Sequence, residues 1–239
     1  MSIDFNDIVN LHKNIKSDIK WTETSFSQQL SEVTGCSIFI KYENRQHTGS
    51  FKVRGSYAKL LSLSDEKKKM GVIAMSAGNH AQGLAYSAKK MNIISNIVMP
   101  IGTPFTKIRR TSNFGGNVIL SGDTLKESYL HVKNLIKEKN YTEIHPYNDW
   151  KVIMGQGTSC YEMLSDHNEL DVLLIPVGGG GLIAGCSIVS KKMNSKLQII
   201  GVESKLYPSL SNIFFKKKQV CKGSTIAEGI AVSEIGEKP

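Results

Sequence analysis

The 239-residue sequence has no closely spaced cysteines, no long apolar run and very little arginine. Its four cysteines (Cys36, Cys160, Cys186 and Cys221) lie far apart and form no C-x-x-C pair. That spacing argues against zinc and against a disulfide framework, so a reducing compartment is expected. No apolar stretch approaches the roughly 20 residues that a bilayer span needs. The opening residues, MSIDFNDIVNLHKNIK, set acids among apolar positions and lack the apolar core of a secretory signal. A cytoplasmic protein without membrane contact is expected. Only 4 of the 30 cationic residues are arginine, namely Arg45, Arg54, Arg109 and Arg110. A nucleic-acid surface favours clustered arginine, whose planar fork grips phosphate at two points. The net charge of +9, with lysine runs at 67–69 and 216–218, reads instead as solvated surface, and no nucleic-acid partner is expected. No internal repeat or low-complexity linker interrupts the chain.

What is present is an ordinary globular composition, 40% hydrophobic with 21 glycines. A chain of this length buries about 70–75% of its unfolded surface without staples. Apolar periodicity predicts helices over 4–17 and 27–34, a strand over 36–43, a polar turn over 44–49 and a helix over 50–63 capped by Ser50. Strands over 71–76, 95–100 and 117–122 alternate with helices over 79–91, 104–114 and 124–139, and a short strand follows near 143–145. This rhythm predicts a parallel sheet wrapped by helices. A helix over 152–164 leads to a second alternation: strand 171–177, glycines 178–181, helix 182–193, strand 197–203 and a helix near 208–218. The expected fold class is α/β, two lobes of open parallel sheet wrapped by helices. Residues 71–146 would form a small inserted domain, and 1–70 with 147–239 a larger one.

Three stretches carry chemistry. In DVLLIPV-GGGG-LIAG a buried strand ends in Gly178, Gly179, Gly180 and Gly181, and a helix begins at once. Bare backbone N–H groups at a helix N-terminus make a seat for a phosphate. Gly179, Gly181 and Ala184 also fit a dinucleotide fingerprint with Glu203 as the ribose acid, so a nucleotide-binding module stays open. In TGSFKVRGS, Lys52 stands in the first turn of a helix, where the dipole disfavours its protonated form, and Arg54 would push the same way. A neutral amine is what Schiff-base chemistry needs. In MSAGNHAQG, Ser76, Ala77 and Gly78 turn into a helix that starts with Asn79 and His80, a second anion seat suited to a carboxylate.

Together with KYENRQHTGSFKVRG (41–55), VIAMSAGNHAQGLAYSAK (72–89), HPYND (145–149), GQGT (155–158), PVGGGGLIAG (176–185) and AEGIAV (227–232), these stretches resemble the threonine/serine dehydratase group of fold type II pyridoxal-phosphate enzymes. The resemblance implies pyridoxal 5′-phosphate as cofactor and an amino acid as substrate. It makes Lys52 the Schiff-base lysine and Phe51 the aromatic against the pyridine ring. Asn79 would meet the 3′-oxygen, and Gly178–Gly181 with Leu182 would cradle the phosphate. Ser76, Ala77, Gly78, Asn79 and His80 would form the substrate-carboxylate loop. The implied reaction is β-elimination and deamination of threonine or serine, in a homo-oligomer. Ala77 stands where racemases of this fold carry a serine. Glu203 would be one ligand where a relative binds a divalent cation, but Ser209 stands at an expected acidic partner, so no metal is assigned. Family members continue past AEGIAV, which leaves a catalytically impaired fragment with an exposed sheet edge as the rival expectation.

Overall fold

Asp4 opens the first helix. Its carboxylate accepts from the Asp7 N–H while the Asp7 carboxylate accepts from the Asp4 N–H, which fixes the first turn of α1 (Phe5–Ile15). The structure, a computed structural model, describes residues 3–239. A short antiparallel hairpin follows, β1 (Thr24–Phe26) and β2 (Phe39–Lys41), with α2 (Gln28–Thr34) between them. The strand expected over 36–43 is thus only three residues long, and a 3-10 turn at Glu43–Arg45 replaces its end. The helix expected from Ser50 starts later, as α3 (Lys52–Leu61). Ser50 does not cap it. Phe51 already has helical angles (φ −62°, ψ −16°) and no side chain caps the turn. Ser64 caps a short α4 (Asp65–Met70) that the apolar pattern did not reveal.

The alternating segment forms one parallel sheet from β3 (Val72–Met75), β4 (Ser95–Met99), β5 (Asn117–Leu120) and β6 (Thr142–Glu143). The strand order is β5-β4-β3-β6. The crossovers are α5 (Asn79–Lys90), α6 (Phe105–Asn113) and α7 (Leu125–Lys139). β4 is buried along its whole length and β3 nearly so, and β3 (VIAM) accordingly reads as an unbroken apolar run, whereas β4 opens with the buried polar pair Ser95 and Asn96. Leu84 and Ala88 of α5 pack with Val72, Ala74 and Ile97 on one face, and Val132 of α7 packs with Ile73 and Val98 on the other.

Asp149 caps α8 (Trp150–Asp166) by accepting from the Lys151 and Val152 N–H groups, so this helix starts two residues before its expected position. Residues 152–160 are all buried, as befits a helix surrounded by protein. Beyond it, β7 (Val172–Pro176) and β8 (Gln198–Val202) pair in parallel around α9 (Gly181–Met193). Ile8 and Ile15 of α1, Val53 of α3, Leu164 of α8, Ile175 of β7 and Val189 of α9 form the core of this half. The last helix, α10 (Ser209–Phe214), is shorter than the expected 208–218, and the chain turns away at Lys216 (φ 50°).

Candidate active site

Three helix crossings at glycine bring the site together. A Cβ on Gly83 of α5 would lie 2.9 Å from Val53 N and 3.0 Å from the Lys52 carbonyl carbon, so α5 rests directly on the backbone of the lysine turn. On the opposite side α8 meets α3 at Gly55 and Gly155, where a Cβ on Gly155 would lie 2.6 Å from the Arg54 oxygen. Gly157 and Gly185 allow the same close approach between α8 and α9. The N-termini of α3, α5 and α9 consequently converge on one cavity of about 220 Å³.

Of the site residues expected from sequence, Phe51, Lys52, Ser76, Gly78, Asn79, His80, Gly178, Gly179, Gly180, Gly181 and Leu182 line that cavity. Ala77 does not, and packs instead against the core beneath the sheet. Sequence reasoning missed Pro146, Tyr147, Glu228 and Ile230, which also line it. They lie in HPYND and AEGIAV, which were legible as motifs but carried no chemical reading.

Lys52 reaches into the cavity, donates from Nζ to the Pro146 carbonyl at 2.9 Å, and lies 5.4 Å from the Phe51 ring centroid. Burial lowers its pKa from 10.5 to about 8. Desolvation is the cause, and the Arg54 charge nearby is paired with Glu43 and Glu162. His80 donates from Nε2 to the Ile144 carbonyl at 2.8 Å, and burial, reinforced by the Lys52 charge, drops its pKa to about 3. His145 accepts at Nδ1 from the Tyr147 and Asn148 N–H groups, and burial followed by the Lys52 charge lowers it to about 4. Both imidazoles are therefore neutral at physiological pH. Of these three groups, only Lys52 titrates near neutrality.

The glycine turn is built for close approach. Gly180 has φ +92°, and a Cβ on Gly179 would lie 2.3 Å from carbons of the Tyr147 ring. The first-turn N–H groups of α9 are free of helical partners and face a negative charge well. Ser76 Oγ accepts from the Gly78 and Ala81 N–H groups and braces the turn into α5. Glu203 sits elsewhere: it accepts from the Leu210 N–H (2.6 Å), the Ser211 N–H (2.9 Å) and the Ser211 hydroxyl (2.7 Å), and so caps α10. A buried, easily neutralised amine facing a glycine-lined helix terminus matches the two ends of an aldehyde phosphate.

Residues 15–239 match the family described as pyridoxal-phosphate dependent enzyme. The chain belongs to that family. It is 42% identical to an L-threonine ammonia-lyase of Thermotoga maritima, over 98% of this chain and 59% of that protein. It therefore spans about three-fifths of that relative's length. The structure superimposes on a threonine deaminase of Solanum lycopersicum with a TM-score of 0.89 at 34% identity, covering 99% of this chain and 67% of that one. A serine racemase of Dictyostelium discoideum gives 0.91 at 32% identity, covering 99% and 76%. The chemistry of the cavity, a buried amine at Lys52 and a glycine turn at 178–181 that opens a helix, fits pyridoxal phosphate. Among the described residues, no cluster suited to a metal ion occurs and no helix is long and apolar enough to cross a membrane.

Proposed function

We propose that this chain carries the site of a pyridoxal-phosphate threonine (or serine) ammonia-lyase, with residues 71–146 as a small lobe set against a larger cofactor-binding one. The observation that carries the reading is the placement of the Lys52 amine in one cavity with the glycine turn 178–181, at a pKa of about 8. At pH 7 roughly a tenth of such an amine is unprotonated, against about one part in 3000 for a lysine near 10.5. That difference favours both attack on an aldehyde and acceptance of a proton.

In this reading the N-terminus of α5, with Asn79 and His80, receives the substrate carboxylate, and Lys52 takes the proton from the substrate Cα. The bound cofactor supplies an electron sink for the charge left there. Loss of the β-hydroxyl and hydrolysis then give a 2-oxo acid and ammonia, with no oxidant required. Ala77 stands where racemases of this fold carry a serine, and its lack of a hydroxyl favours elimination over racemisation. Four free cysteines suit a reducing, cytoplasmic setting.

The alternative reading is a chain that holds the cofactor without turnover. Its motive is the packing of Tyr147 on Gly179 and of Pro239 on Gly180, where a Cβ would lie 2.8 Å from Pro239 Cβ. Threonine supplied to the cofactor-loaded chain decides between them. Release of 2-oxobutanoate, at least about a thousandfold lower in Lys52→Ala, is expected if the amine is the base. Cofactor bound with neither 2-oxobutanoate from threonine nor pyruvate from serine would leave the silent reading.

A further inference from the structure

We infer that Arg54, gripped by Glu43 and Glu162, is a positioning residue that fixes the backbone of Lys52 two residues earlier on the same helical turn. The inference rests on the Lys52 reading above. The guanidinium donors are engaged on every side. Nε and Nη2 donate to the two oxygens of Glu43 at 2.8 Å each, and Nη1 and Nη2 donate to the two oxygens of Glu162 at 2.7 Å each. Nη1 also reaches Thr158 Oγ1 at 3.2 Å, and Nη2 the Lys20 carbonyl at 3.2 Å. Glu43 lies in the turn after β2, Glu162 and Thr158 lie on α8, and Lys20 lies between α1 and β1. One side chain thus ties the first turn of α3 to three separate parts of the chain.

The surroundings leave no charge stranded. The Lys41 ammonium donates to Glu162 Oε2 and to the Thr22 carbonyl, both at 2.7 Å, so two cations face two carboxylates. Arg54 is 0% exposed and Glu162 1%. Burial works to raise the Glu43 carboxyl, but the Arg54 charge, the hydrogen bonds from Arg54 and Thr22 and the Lys41 charge together outweigh it and hold the carboxyl low. Nearby His12 is kept neutral, mainly by burial.

Stability alone does not call for this arrangement, because well-packed apolar side chains of similar volume serve as well or better than a buried ion cluster. What a forked cation between two carboxylates adds is direction. The first turn of α3 needs it, since that turn has no side-chain cap. Gly83 presses the Lys52 backbone from one side, and the Arg54 clamp holds it from the other.

The test compares Glu162→Gln, with Thr158→Val as the milder change, against the unsubstituted chain in two measurements. One is equilibrium binding of deoxypyridoxine 5′-phosphate, which has the ring and phosphate but no aldehyde. The other is the rate constant for Schiff-base formation between Lys52 and pyridoxal 5′-phosphate, followed by absorbance. A misplaced amine slows capture without touching the phosphate seat, so Schiff-base formation is expected to fall about tenfold or more in Glu162→Gln, and less in Thr158→Val, with analogue affinity within about twofold. Parallel loss of both, or change in neither, overturns the inference. If Glu162→Gln does not fold, Thr158→Val decides by the same split. An unsubstituted chain that forms no Schiff base on Lys52 would instead overturn the functional reading on which the inference stands.

Discussion

Lys52 is expensive to bury, and that cost has a measurable sign. Its folded pKa of about 8 lies below the unfolded value of 10.5, so between those values the unfolded chain binds more protons. The penalty is fully present below about pH 8, shrinks as pH rises, and is gone above the unfolded pKa. At pH 7 it is on the order of 3 kcal/mol. Lys52→Met should therefore stabilise the cofactor-free chain by up to about 3 kcal/mol at pH 7 and by progressively less towards pH 10. Urea midpoints across that range would check it, and a pH-independent difference would contradict it. The residue itself was legible in the sequence because a first-turn lysine is out of place there. The cause of its pKa was not. The partners that neutralise Arg54 lie 11 and 108 positions away, beyond the reach of any local pattern.

At the scale of elements, the βαβ rhythm was readable because the β3 and β4 runs and the faces of α5 and α7 each keep one period. The two misses have physical causes. β1 is three residues long, and α4 (DEKKKM) has no buried face to betray it. The glycines were visible as motifs, but their purpose lies in the partner helix. Gly55, Gly83, Gly155, Gly157 and Gly185 exist to let α3, α5, α8 and α9 touch backbone to backbone. Gly83→Ala should then push α5 off the Lys52 turn and destabilise the chain by roughly 1–3 kcal/mol, as overpacking does. A denaturant midpoint equal to that of the unsubstituted chain would contradict the crossing. Gly35, which ends α2 with nothing within 4 Å, provides the contrast: its φ of +69°, and not a neighbour, is what an alanine would offend.

For the whole molecule, the unpaired edges of β2 and β7 face each other across a second cavity of about 340 Å³, lined by residues 37–41 and 172–176. Val172, Leu174, Ile200 and Val202 are exposed on the same ribbon. Open apolar edges of this kind recruit further strands. If this ribbon joins two copies of the chain, Leu174→Lys should weaken their association about tenfold or more, measured by sedimentation, while leaving the circular dichroism unchanged. Association unaffected by the lysine would point to another surface. Borohydride reduction of the pyridoxal-phosphate-loaded chain, followed by peptide mapping, reads directly where the cofactor attaches. A single phosphopyridoxyl group on Lys52 is the predicted result. Label scattered over the exposed lysines, with Lys52 unmodified, would contradict it.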